Sequence, residues 1–190
     1  MDEFEYLAAL VSVVAGLSLT RALSGFAKLV DSENDTRLSG VHIAWTLSVI
    51  LWLVGYWWFT FMLASIESWS ILLFLFVLLY GAIVYLLIAL LYPDRHKAGT
   101  DTFENFLVRR RSFFVTWVVL GIVDIADTLI KTEIYDMPEP PIIAYLALML
   151  CWIGLGITGA LTANRFFHSV FAYSWLAVTA MWSLTAFVTL

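Results

Sequence analysis

The chain has 190 residues, 62% of them hydrophobic and only 13% charged, with a formal net charge of −5 and a mean hydropathy of +0.91. Soluble domains run at about 45–50% apolar and about 25% charged residues, so this composition excludes an ordinary water-soluble domain and predicts an all-α polytopic membrane protein. The acidic balance, with no basic cluster of the size that phosphate backbones demand, argues against nucleic acid as a partner.

A helix needs about 20 apolar residues to cross about 30 Å of hydrocarbon. Six stretches meet that need, at approximately 6–28, 42–64, 70–92, 112–132, 141–163 and 166–189, and together they predict a single transmembrane domain over 1–190. The opening "MDEFEYLAAL" is acidic where a secretory signal would be basic, and no A-x-A-like site closes a short apolar core. The first span is therefore expected to be retained. It carries a polar stripe, Ser18, Arg21, Ser24, Gly25 and Lys28, with Arg21 about 8 Å from the span's end at 1.5 Å per residue. Arg21 can snorkel to the headgroups or close one end of a polar path. Gly16 with Thr20, and Ala22 with Gly25, are spaced for close helix packing.

Between the first and second spans lies the turn-rich "DSENDTRLSG", and "ASIESW" joins the second to the third tightly. The long connection 92–111 contains Asp101 and Glu104, a capping-box pair, and Phe103, Phe106 and Leu107 on one face before Arg109, Arg110 and Arg111. That pattern predicts a short amphipathic helix at about 101–110 lying on the membrane surface, its arginines near anionic lipid. Membrane lipids are the expected partners.

The fourth span holds "GIVDIADTLI". Asp124 and Asp127 share a helix face with Thr116, Thr128 and Lys131. Asp127 stands four residues before Lys131, the favourable order for a helical ion pair. An Asp near a helix centre costs about 2.5–3.5 kcal/mol on insertion scales and usually faces a bundle interior or a wet cavity. Asp124 is thus the candidate functional group, and a conduit from Arg21 through Asp124 to Asp127 is the candidate path, supported by Ser18, Thr116, Thr128 and Lys131. The axial gap between Arg21 and Asp124 comes to about 10 Å, so a direct bridge would need tilt or a water.

Three of the four prolines fall in 131–141, ending the fourth helix and starting the fifth. Gly154, Gly156 and Gly159 spell G-x-G-x-x-G in mid-span, where no strand precedes them and no phosphate could reach, so they are read as helix-packing residues together with Ala160. No cofactor is expected. Cys151 is the lone cysteine, which excludes an internal disulfide and a cysteine-based metal site. None of His42, His96 and His168 lies within a helical turn of another, so no metal site is expected. With no P-loop, no H-E-x-x-H and no local nucleophile–base pair, the protein is not expected to be an enzyme.

Across six crossings, the loops 28–41, 93–111 and 163–166 share one side. Lys28, Arg37, Arg95, Lys97, Arg109, Arg110, Arg111 and Arg165 lie there, with Arg21 at its margin, against Lys131 alone opposite. The positive-inside rule makes that side cytoplasmic and puts both termini outside. Trp45, Trp57, Trp58, Trp69, Tyr80, Tyr92 and Trp182 sit mostly near span ends and read as interface anchors. "IAW" at 43–45 against "IAY" at 143–145, Trp52 against Trp152, and "VVAG" at 13–16 against "VVLG" at 118–121 suggest a 3+3 inverted repeat, a feature of many transporters.

The stretches "EYLAALVSVVAGLSLTRALSGFAKLV", "LLYPD", "RRRSFF" and "DIADTL" resemble a family of small bacterial inner-membrane proteins of about this length. The resemblance implies a bacterial cytoplasmic membrane and six helices, and it carries over no catalytic residue. The favoured function is a small transporter or channel-like protein, forming a homo-oligomer, with intramembrane acids lining a path for a cation or proton. The alternative is a non-catalytic membrane subunit or scaffold that binds a protein or lipid partner.

Overall fold

The computed structural model describes residues 3–30, 37–66, 69–93, 101–134 and 142–188. These form six α-helices: α1 (Glu3–Val30), α2 (Gly40–Phe59), α3 (Ile71–Leu91), α4 (Thr102–Leu129), α5 (Ile142–Leu161) and α6 (Arg165–Val188). A 3-10 turn (Thr60–Ser65) extends α2 and a π turn (Ile130–Ile134) extends α4. There are no strands among the described residues, so the all-α expectation holds. The helix starts carry local signals that explain them. Ser39, Ser70 and Asp101 each accept a hydrogen bond from a backbone N–H in the first turn of α2, α3 and α4, and Asn164 Oδ1 does so for Phe166 and Phe167 in α6. Such side chains satisfy donors that a helix start would otherwise leave orphaned.

Five helical segments, all but α6, are long and apolar enough to cross a membrane. Their outward surfaces are apolar too: Leu72, Ile143 and Leu150 are each about three-quarters exposed or more. A face of this kind suits acyl chains rather than water. The length of α6 is sufficient, but its serines, threonines and aromatics dilute its hydropathy.

The short interfacial helix expected at about 101–110 is instead the first turns of α4, which runs without a break from Thr102 to Leu129. No glycine or proline interrupts 102–120, so nothing stops the helix at the arginines. Its aromatic face turns inward: Phe106 is buried, and its ring lies 5.3 Å from Phe113 and 6.3 Å from Trp45. Of the basic residues expected on this side, Arg95 and Lys97, with His96 beside them, fall outside the described residues.

The three loops assigned to one side do meet at one end. Thr102 N–H donates to the Arg37 carbonyl (3.0 Å) and Ser39 N–H to Thr102 Oγ1 (2.8 Å). Arg165 lies 3.5 Å from Glu104 and 3.8 Å from Asp101, with its guanidinium over the Phe103 ring. This is the basic end of the bundle. At the opposite end the Trp69 N–H donates to Glu3 (3.3 Å).

In helix pairing, α1 lies along α3, α2 along α6 and α4 along α5, while α3 also packs on α2 and α4. A 3+3 twofold would match the α2–α6 pair with an α5–α3 pair, and those two helices share no comparable interface among the described residues. The α4–α5 contact depends on two of the four packing residues named from sequence. A Cβ on Gly159 would meet the Phe114 ring at 2.8 Å, and one on Gly156 would meet Val118 at 2.7 Å. Ala160 packs against the same core. Gly154 does not serve this contact, since a Cβ there would meet nothing within 4 Å.

Near the basic end the core is a close-packed aromatic cluster centred on Trp45, which is 0% exposed. Its ring centroid lies 5.1 Å from those of Phe113, Trp117 and Phe171 and 5.6 Å from Phe114, all at steep angles. Edge-to-face rings of this kind add to the gain from simple burial. The interface reading therefore fails for Trp45, although Trp57 and Trp58 remain over a third exposed. Trp45→Ala is expected to lower stability by about 3–5 kcal/mol, and Trp58→Ala to change it by about 1 kcal/mol or less, measured by denaturant unfolding in detergent.

Candidate functional site

In the last two turns of α4, Asp124 meets the middle of α3. The Tyr80 hydroxyl donates to Asp124 Oδ1 (2.8 Å), and Trp52 Nε1–H of α2 donates to the Tyr80 oxygen (3.0 Å). Three helices are thus joined by one relay, Trp52 to Tyr80 to Asp124. A fourth joins from α5, where the Tyr145 hydroxyl reaches Thr128 Oγ1 (3.0 Å) and, at 3.3 Å, the Asp124 carbonyl. Each bond satisfies a polar atom that lipid could not. One turn further along, Asp127 Oδ2 holds Lys131 Nζ at 2.6 Å, with both side chains about one-fifth exposed. This is the i,i+4 pair that the spacing predicts.

These groups line a cavity of about 340 Å³ between α2, α3, α4, α5 and α6. Asp124, Asp127, Thr128 and Lys131 form one wall. Trp52, Tyr56, Tyr80, Tyr145, Trp152, Trp175 and Trp182 supply most of the rest, with Thr60, Met62, Leu63 and Thr132 towards the end that carries Lys131. The aromatic walls brace one another. Trp52 stands edge-on to Trp152 (4.7 Å between centroids) and stacked with Trp182 (5.4 Å), and Tyr56 stacks on Tyr80 (5.0 Å). Trp152 is also locked by its own N–H, which donates to the Trp117 carbonyl (3.0 Å). Below the cavity, towards the basic end, the Trp45 cluster fills the bundle.

The residues named from sequence divide. Asp124, Asp127, Thr128 and Lys131 come together here. Thr116 does not: it lies two turns back and donates to the Ser112 carbonyl of its own helix (3.0 Å). Ser18 is buried on α1 and donates to the Val14 carbonyl (2.8 Å). Arg21 donates to the carbonyl of Tyr92 at the end of α3 (2.7 Å) and does not line the cavity. Tyr80 and Tyr92 are twelve residues apart on α3, about 18 Å along its axis. Val84, Leu87, Ile88 and Leu91 between them are all buried. The conduit from Arg21 to Asp124 is therefore replaced by two separate sites, because a carbonyl left free at the end of α3 takes the guanidinium locally.

His42 and His168 are both buried. The His168 Nε2 bonds the Thr162 carbonyl (2.9 Å), and among the described residues no group of three His, Cys, Asp or Glu side chains comes together. No family model matches the chain, and no curated protein or solved structure matches it either.

Tyr80, Tyr145, Trp52 and Trp152 are the site residues that sequence reasoning missed. A tyrosine inside an apolar run, away from a span end, was the available signal for Tyr80. Its removal by Tyr80→Phe takes a donor from Asp124 and an acceptor from Trp52. A loss of about 1.5–3 kcal/mol is expected, as for a hydrogen bond to a charged group, read as a lowered unfolding midpoint in detergent. Tyr56→Phe, whose hydroxyl donates only to the Val77 carbonyl, should lose about 1 kcal/mol.

Proposed function

We infer that the protein is a small carrier of the bacterial cytoplasmic membrane, crossing it six times, that moves a cation or proton by way of Asp124. The observation that carries this reading is an intramembrane carboxylate opening on a cavity between five helices. Carboxylates at such depth mark ion and proton pathways more often than they serve as simple scaffolding.

The packing favours a carrier over an open channel. The cavity extends from Asp124 to Lys131 and Thr132, while the Trp45 cluster blocks the basic half. Passage then requires the aromatic plug to rearrange, so that access alternates between the two sides. With the basic end cytoplasmic, the cavity faces outward. The sixth crossing is supported by the way α6 lies along α2 and by its hydroxyls, since Ser169, Thr179, Ser183 and Thr185 each donate to a carbonyl one turn back. A helix whose side-chain donors are satisfied internally can cross hydrocarbon.

In proteoliposomes carrying a cation gradient, wild-type protein should give flux above empty vesicles and Asp124→Asn should reduce it at least tenfold. Equal flux in the two proteins rejects the role of Asp124. For orientation, a cysteine at Thr132 in a Cys151→Ser background should react with a membrane-impermeant maleimide in intact cells, and one at Arg165 only after the membrane is opened.

A further inference from the structure

Most of the hydrogen-bond donors in the cavity's lining are already engaged within the protein. The hydroxyls of Tyr56, Tyr80 and Tyr145 donate to Val77, Asp124 and Thr128. Those of Thr60, Thr132 and Thr179 donate to carbonyls of their own helices. The indole N–H groups of Trp52 and Trp152 are engaged by Tyr80 and Trp117. These donors are turned into the protein, and the space is lined by carboxylate oxygen, hydroxyl oxygen and aromatic rings, with the Trp175 and Trp182 indoles and the Thr128 hydroxyl beside them. Lys131 is the one cationic donor in the lining, and it is seated on Asp127. With two carboxylates against one lysine, a space lined in this way disfavours anions.

Charge and size narrow the class further. Asp124, Asp127 and Lys131 sum to one formal negative charge. Ligand pockets begin at about 300 Å³, and 340 Å³ far exceeds a bare ion. A divalent cation would also want six or more oxygens around it, whereas one oxygen of each carboxylate is already bonded to Tyr80 or Lys131. Aromatic faces attract organic ammonium groups, most strongly when water is excluded. Leu148 and Val178, on α5 and α6, line the cavity and are also about 40% exposed, so its wall opens sideways onto an apolar surface.

We propose that the cavity binds an organic monocation, an amine or quaternary ammonium on an apolar body, with its positive group at Asp124 and its body against Trp52 and Trp182. This deepens the carrier reading and rests on it for the route of transport, but binding can be measured without transport. Lys131 then acts as a tethered competitor that holds Asp127 until a ligand arrives.

The test uses full-length protein in nanodiscs of zwitterionic lipid, with benzyltrimethylammonium and phenethylamine as probes and phenylacetate as the anionic control of similar size. Binding is followed by the change in tryptophan fluorescence and by calorimetry. Expected are saturable binding of both cations and none of phenylacetate, a loss of tenfold or more in Asp124→Asn, and several-fold tighter binding in Lys131→Gln. The lysine variant keeps both acids and covers the case in which Asp124→Asn does not fold. Failure of both cations to saturate, equal binding of phenylacetate, or affinities unchanged in Lys131→Gln and in folded Asp124→Asn would each overturn the proposal. Cation binding without flux would reject the carrier and keep the ligand class. Asp124-dependent proton or sodium flux that neither amine binds to nor inhibits would do the reverse.

Discussion

A carboxylate placed inside a membrane-length helix has to be kept from the acyl chains, and much of the bundle's polar design follows from that requirement. Asp124 meets it by accepting from Tyr80, which is itself held by Trp52. The two bonds fix the relative rotation of α2, α3 and α4, because each donor has to present its hydrogen at one angle. Tyr145 then ties α5 to the same turn of α4. Without the acid, only a few polar contacts, such as Tyr56 to the Val77 carbonyl and Trp152 to the Trp117 carbonyl, would specify how these apolar helices face one another, since lipid tails and leucines are nearly equivalent neighbours.

The same requirement leaves a hollow. Around a polar group the core cannot close with aliphatic side chains, so large rings brace one another at the walls and the centre stays open. Towards the basic end no carboxylate is buried among the described residues, and Trp45, Phe113, Phe114, Trp117 and Phe171 interlock. The bundle is therefore packed at one end and hollow towards the other. Arg21 belongs to the packed end, where it finishes α3 through Tyr92. Gly25 permits this, because the Tyr92 ring lies where a Cβ would stand. Opposite charges that could have neutralised each other are kept apart by a buried stretch of α3.

Local relations were legible in the residues. Four-residue spacing predicted the Asp127–Lys131 pair, since a helix puts i and i+4 side by side whatever surrounds it. Small-residue spacing located Gly156 and Gly159 at a close contact, although it also included Gly154, which faces away. Aromatic residues misled for a related reason. Trp45, Tyr80 and Trp182 look like headgroup anchors in a one-dimensional reading, because an indole or phenol suits the interface and the core equally well. The partner decides between them, and Tyr80's partner is 44 residues away. The matched Trp52 and Trp152 do meet, ring to ring, but as neighbours in one cavity wall, not as mates in a displayed twofold.

By itself the sequence determined that this chain is a set of apolar helices with its basic residues gathered at one end, and that an acid lies deep in the fourth of them. Those properties follow from hydropathy, spacing and charge counted along a single strand of chain. Only the tertiary structure decided that α4 begins at Thr102, that Arg21 and Asp124 stand apart, and that four tryptophans and three tyrosines enclose the acids. Such outcomes depend on which face of each helix meets which neighbour. Between uniformly apolar surfaces that choice is set by a few hydrogen bonds and close ring contacts, which connect residues far apart in the chain.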